Sequence, residues 1–223
     1  MRTILMTLSA EGKAGTMASA GSSPSAASRL GRQPSTSVAE LSHAALQLFI
    51  ERGFDQTTVD DIAAAAGIGR RTFFRYFPSK NDVPWGDFDS LIEDMRGYLA
   101  DQSDDIPLLE SIRSAVLHFN RFPPDELPYH RERMALLLNV PSLVAHSTLR
   151  YAAWRQAIAE FAAERLGVGS DELAPQAIGW AFLAVSLTAY EQWLRQDDAE
   201  LSQLLDRAFL VLDRVFQHPG SDR

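Results

Sequence analysis

Cysteine is absent from this 223-residue chain. That absence removes disulfides, thiolate nucleophiles and cysteine-ligated zinc together, and it fits a reducing compartment. Positive charge is short as well: 21 Lys and Arg stand against 29 Asp and Glu, a formal net charge of −8. The five histidines (His43, His118, His130, His146, His218) form no metal-spaced pair on one helix. No phosphate-binding loop or nucleophile elbow is present, and the carboxylates are scattered as on a solvated surface. These absences point away from an enzyme and imply neither a metal nor a cofactor. The brief apolar run in MRTILMTLSAEG is too short for a signal peptide. Leu173–Tyr190 carries no charge and approaches membrane-spanning length. Pro175, Gln176, Ser186 and Thr188 interrupt it, so it reads as a buried helix and not as a membrane span. The expected location is the cytoplasm.

Strand-period alternation and internal repeats are also missing, and what remains is helical periodicity. Residues 1–34 are rich in Ser, Ala and Gly and predict a disordered tail. A first helix is predicted from about Thr36 to Arg52, stopped by Gly53. A second starts at the N-cap Thr58, with Asp61 three residues on as an acidic capping-box variant, and ends at Gly67. A third covers about Arg70–Phe77, closed by Pro78. Ser79 is expected to cap a fourth helix that tolerates Pro84 and runs to about Ala100. Body helices are expected near 106–121, 126–139, 141–166, 171–196 and 199–217. The predicted fold class is all-α: a three-helix N-terminal head over 35–95, then a helical bundle over 96–223 for ligand binding and dimerisation.

The stretch TVDDIAAAAGIGRRTFFRYFPSK, 58–80, is the most informative. A helix, a glycine turn and a short helix loaded with arginine and aromatics make the plan of a helix-turn-helix, which lays its second helix into the major groove of double-stranded DNA. The net charge of −8 does not oppose this. Residues 83–223 hold twelve basic against twenty-two acidic side chains, whereas 67–80 holds four cations and no acid. A local basic patch is what phosphate contact needs. Arg70 and Arg71, at the start of the recognition helix, are expected to read guanine, the alternative being phosphate contact only. Thr72 and Phe74 suit a thymine methyl, and Thr58 at a helix N-terminus suits a phosphate. Arg32, at the end of the tail, is either a solvated linker residue or part of a basic arm on DNA.

In the body, Phe119, Phe122, Trp154 and Trp180 are candidate walls of a ligand cavity, among other aromatics that are core by default. Arg121 and Arg150 are candidate partners for an anionic ligand group, as are Arg113, Arg131 and Arg133. The two carboxyl-terminal helices suggest a homodimer interface through Trp180, Leu183, Leu187, Leu205, Phe209 and Leu212, the alternative being an intramolecular core.

Gly53-Phe54-Asp55-Gln56-Thr57-Thr58-Val59, then Ile68-Gly69-Arg70-Arg71-Thr72-Phe73-Phe74-Arg75-Tyr76-Phe77 and Lys80, resemble the head motif of the TetR-type transcriptional regulators. The resemblance covers about 35–95. It implies a homodimer on an inverted-repeat operator, a variable ligand domain and repression released by a small hydrophobic effector. It gives Tyr76 and Lys80 the role of phosphate contacts. GIGRRTFFRYFPSKNDVPWGDFD is further similar to the regulator branch associated with mycofactocin biosynthesis clusters in actinobacteria, a branch linked to acyl-CoA effectors. Arg71 departs from a common glycine, Phe74 from a common tyrosine and Gly69 from a common capping serine, which implies an operator of this chain's own. A regulator of another pathway with an unrelated ligand, or an architectural DNA binder, remains the alternative.

Overall fold

The computed structural model describes residues 37–217, with the side chains at 212 and 215–217 outside that description. The predicted tail over 1–34, Arg32 included, lies outside the described residues. So do the Leu212 side chain and His218.

Among the described residues every regular element is a helix. The helix α1 (Val38–Arg52) starts at a capping box: the Glu40 amide donates to Ser37 Oγ at 3.1 Å and the Ser37 amide donates to Glu40 Oε2 at 2.8 Å. Leu41, Ala45, Leu46 and Phe49 bury its inner face. Gly53, at φ 87°, stops it. The short helix α2 (Val59–Ala65) repeats the device with Thr58 and Asp61, as the sequence predicts. Gly67 turns the chain into α3 (Arg70–Tyr76). Phe73 and Phe77 of this segment are buried beside Phe49, Phe54 and Ile62. Those residues belong to an apolar cluster that continues into the body, and α3 packs against α2 within it.

The expected fourth helix is two elements. Lys80–Trp85 is a 3-10 helix, and α4 (Phe88–Ala100) begins after Gly86, which takes φ 58°. An α-helix capped by Ser79 would place Pro84 at its fifth residue. There the missing amide leaves the Lys80 carbonyl unbonded and the ring meets it. The chain therefore tightens into a 3-10 turn, breaks at Gly86 and restarts.

The body holds α5 (Leu108–Phe119), α6 (Leu127–Asn139), α7 (Pro141–Leu166), α8 (Leu173–Leu194) and α9 (Leu201–Gln217). Gly167, left-handed at φ 68°, closes α7 with the Val168 amide bonded back to Ala163 O at 3.1 Å. Helix α8 packs against α6, α7 and α9. It approaches α7 closely at Gly179, where a Cβ would stand 3.0 Å from the Arg155 carbonyl. By length and composition alone α8 passes for a membrane span, but Phe182, Leu183, Ala189, Tyr190 and Trp193 are buried against neighbouring helices.

This packing corrects part of the expected interface. Leu183, Leu205 and Phe209 are buried in the chain's own core, with Phe182 and Phe209 stacked at 4.8 Å. Leu187 faces an internal cavity. Of the six expected interface residues, Trp180 alone among those described is exposed.

Candidate DNA-reading head and ligand cavity

Helix α3 divides its side chains by phase. Phe73 turns inward, while Arg70, Arg71, Phe74 and Arg75 are exposed and Thr72 and Tyr76 are half-buried. The four expected major-groove side chains therefore share one accessible helix. They are not equivalent. Arg70 Nη1 donates to Asp60 Oδ2 at 2.9 Å across the turn, and its guanidinium stands 5.3 Å from the Phe74 ring centre. Arg71 has no ion pair or hydrogen bond among the described residues. Arg75 lies against Tyr76, with Nη2 3.5 Å from Oη. Gly69 is the N-cap, and no side chain caps the helix.

Lys80 is not the free cation its place after the motif suggests. Its Nζ donates to Phe54 O at 2.8 Å and Thr57 O at 3.0 Å, above the Phe54 ring. It ties the loop between α1 and α2 to the segment after α3. Two of its three N–H bonds are thus engaged, which leaves at most one for a phosphate. Thr58 is also occupied: its hydroxyl donates to Asp61 Oδ2 at 2.6 Å while accepting from the Asp61 amide. The Thr58 hydroxyl and the Thr58 amide, both donating to this carboxylate, hold it below its ordinary value.

The 3-10 segment joins this head to the body through Asp82. Its carboxylate accepts from Ser79 Oγ at 2.7 Å, His146 Nε2 at 3.0 Å and Arg150 Nη2 at 3.0 Å. Burial pushes the Asp82 carboxyl up, and the hydrogen bonds from Ser79, His146 and Arg150 outweigh it, so the group sits below its ordinary value. Arg150 reaches Asp89 with its other nitrogen at 2.9 Å. Arg150 is therefore a clamp between α7 and the head and does not line the cavity. A second tie runs from His43 Nε2 to Glu126 Oε2 at 3.1 Å, with the His43 ring stacked on Tyr129.

Beneath this seam lies a cavity of about 80 Å³. Phe119, Phe122 and Trp154 line it as expected, with Trp85, Phe88, Met134, Leu137, Tyr151, Leu183 and Leu187. Trp180 and Arg121 do not. Trp180 is on the outer face of α8 under the Arg155 guanidinium at 3.6 Å, and Arg121 is exposed. Trp85 belongs to the 3-10 segment and Phe88 to α4, so the head itself forms part of the wall.

Sequence reasoning missed most of the polar part of that wall. Tyr190 Oη donates to Asn120 Oδ1, and Asn120 Nδ2 donates to Val116 O at 2.7 Å. His130 Nε2 lies 2.8 Å from Tyr190 Oη. Since the phenol proton goes to Asn120, His130 Nε2–H is the donor and Nδ1 carries a lone pair. Burial, aided by the charge on Arg133, pushes His130 down to about 3, so the ring is neutral. Burial holds the Tyr190 phenol protonated. Arg133 completes this wall. The only sequence signal was arginine and histidine three apart on a helix of low amphipathicity, which does not separate wall from surface.

On the opposite side of α8, a groove of about 600 Å³ runs between α8 and α9, lined by Ala184, Val185, Thr188, Leu204, Ala208 and Val211 among others. Val211 and Leu210 of α9 are exposed, as is Trp180.

Residues 41–83 match the profile of the bacterial regulatory proteins of the tetR family, and residues 106–217 match the profile of the MftR C-terminal domain. A Mycobacterium tuberculosis protein, named as the proposed mycofactocin biosynthesis transcriptional regulator MftR, is 44% identical over 194 residues, covering 85% of this chain and 98% of its own. Among solved structures, the fatty acid degradation regulator FadR from Bacillus halodurans superposes with a TM-score of 0.57 at 17% identity, over 78% of this chain and 93% of its own. Thermus thermophilus FadR, a repressor in complex with lauroyl-CoA, superposes with a TM-score of 0.51 at 22% identity, over 83% and 98%.

Proposed function

This chain belongs to the TetR family of bacterial transcriptional regulators, and from that premise we propose that it is a repressor of a mycofactocin biosynthesis cluster, released from DNA by an apolar effector such as an acyl-CoA. The mycobacterial relative supports the pathway. The lauroyl-CoA complex of a protein with the same fold supports the effector class. Two copies would place two α3 helices on an inverted repeat in cytoplasmic DNA. The groove between α8 and α9, with its exposed Val211 and Ala184, is the surface for the second copy. Arg71 is the base reader of first choice, because its guanidinium is uncommitted among the described residues. Arg70 must leave or carry along Asp60, while Thr72 and Phe74 flank them, and Tyr76, Thr58 and the remaining Lys80 proton suit phosphates.

One observation carries the effector half of this reading: Trp85 and Phe88, on the elements that join head to body, form walls of the cavity. At about 80 Å³ that cavity is well below the roughly 300–1,000 Å³ of a ligand pocket. An effector must widen it, and widening it displaces Trp85 and the segment that holds Asp82. The effector then binds the displaced arrangement better, which is the condition for a switch. The test is competition of lauroyl-CoA with an inverted-repeat operator drawn from a mycofactocin cluster, followed by gel shift over excess random DNA. Specific retention without lauroyl-CoA and release with it is expected. Retention at saturating lauroyl-CoA would remove the acyl-CoA effector from the account, and binding no tighter than random DNA would remove the specific operator.

A further inference from the structure

Arg133 of α6 is a cation on the wall of a chamber whose other lining side chains are neutral. Its guanidinium makes no hydrogen bond or ion pair among the described residues, and its Nε is buried without a partner. The carboxylate whose field reaches it, Glu126, is itself held by His43. A guanidinium in such surroundings is unfavourable unless a counter-charge is supplied. A neighbour in the same wall is a second donor lacking an acceptor among the described residues: Trp85, 7% exposed, has its indole Nε1–H buried and unbonded. Arg133 and Trp85 belong to one end of the chamber: Arg133 Nη2 comes within 3.9 Å of the point where a Cβ on Gly86, the residue after Trp85, would stand.

Taking the cavity as the effector site proposed above, we infer that Arg133 pairs with the negatively charged group of an amphiphilic effector whose apolar body lies among Phe88, Phe119 and Trp154. A carboxylate or a phosphate meets a guanidinium through two parallel hydrogen bonds, so the shared chemistry is an anionic head on an apolar chain. The head comes from a free long-chain acid or from the phosphates of a coenzyme A thioester. Its seat beside Gly86 puts the charge at the junction between the 3-10 segment and α4, where it acts on the DNA-reading head.

Tryptophan fluorescence of the purified full chain, with Trp85 and Trp154 in the wall as reporters, tests this. Titrants are dodecanoate, lauroyl-CoA and the uncharged dodecanol. At least one anion should bind tenfold or more tighter than dodecanol, and the winning anion identifies the source of the charge. That gap should shrink to within twofold in Arg133→Met and survive in part in Arg133→Lys. Arg133→Met should also melt no lower than the wild-type chain, because an unpaired charge has been removed. Dodecanol binding as tightly as both anions overturns the inference, and if dodecanol also releases operator DNA the effector reading still stands. Saturable binding of none of the three overturns the inference as well. An Arg133→Met variant that keeps the tenfold gap, or melts several degrees lower, assigns Arg133 a structural role instead. Tight anion binding without operator release supports the subsite while the effector reading fails.

Discussion

At the scale of single residues, the two arginines opening α3 have different freedom. Arg70 is spoken for by Asp60 at 2.9 Å, whereas Arg71 is exposed and has no ion pair or hydrogen bond among the described residues. Arg71→Ala should therefore cost about 1–3 kcal/mol of operator affinity and relax preference at one base pair, the amount a bidentate guanine contact supplies. Arg70→Ala should lower affinity with less change in preference. Binding to a panel of single-base operator variants checks this, and unchanged preference in Arg71→Ala would remove it as a reader. Adjacent arginines were legible as a basic patch. Which one was tied was not, since Asp60 lies on another helix and its reach depends on the turn at Gly67. His130 makes a second residue-scale prediction. Its folded value, about 3, lies below its ordinary 6.5. Below pH 6.5 the unfolded chain binds a proton that the folded chain refuses, so stability falls with falling pH, by about 1.4 kcal/mol per unit. Between pH 7 and pH 5 that is about 2 kcal/mol, read by urea unfolding. His130→Gln should lose about that much less over the same interval, and equal losses would exonerate the histidine.

At the scale of elements, the 3-10 segment is where head, clamp and cavity meet. It carries Asp82 to the His146 and Arg150 clamp and Trp85 to the cavity, and Gly86 lets the chain break between it and α4. Gly86→Ala should cost about 1 kcal/mol, because φ 58° strains a residue with a Cβ. Thermal unfolding measures it, and an unchanged melting temperature would mean that the junction relaxes without strain. The helices of the head were legible where their ends are chemical: Gly53 and the Thr58–Asp61 pair each act within four residues, whereas the Ser37–Glu40 box that starts α1 lies just inside the start expected at about Thr36. The break at Gly86 was legible in principle from Pro84 five residues after the Ser79 cap, but an apolar helical period continuing through Trp85, Phe88 and Ile92 concealed it. Arg150 was legible as a cation and not as a clamp, since its partner Asp82 lies sixty-eight residues away.

At the scale of the whole molecule, the basic island around α3 sits on an acidic body, which keeps the rest of the surface off DNA. The all-helical architecture followed from periodicity, but the phase of α8 did not. A helix apolar nearly all round does not announce which side faces inward. Packing alone turns Leu183 and Leu187 inward and leaves Trp180 outside. The same ambiguity hid which face remains for a second copy. With the groove of Ala184, Ala208 and Val211 as the proposed face for it, Val211→Asp should leave the fold intact and produce a monomer. Val211 is half exposed in the single chain, where a charge is harmless. Light scattering after size exclusion reads the mass, and an unshifted dimer in Val211→Asp would move the interface elsewhere.

The proposed switch requires that the cavity and the DNA-reading head be coupled through Trp85 and Phe88. The most direct measurement is the ratio of operator affinities with and without lauroyl-CoA, by fluorescence anisotropy, in the wild-type chain and in Leu187→Trp, which fills the cavity from α8. A ratio of at least ten is expected for the wild-type chain, collapsing to near one when the cavity is filled. An undiminished ratio in Leu187→Trp would contradict it, because the effector would then be acting from somewhere other than this cavity.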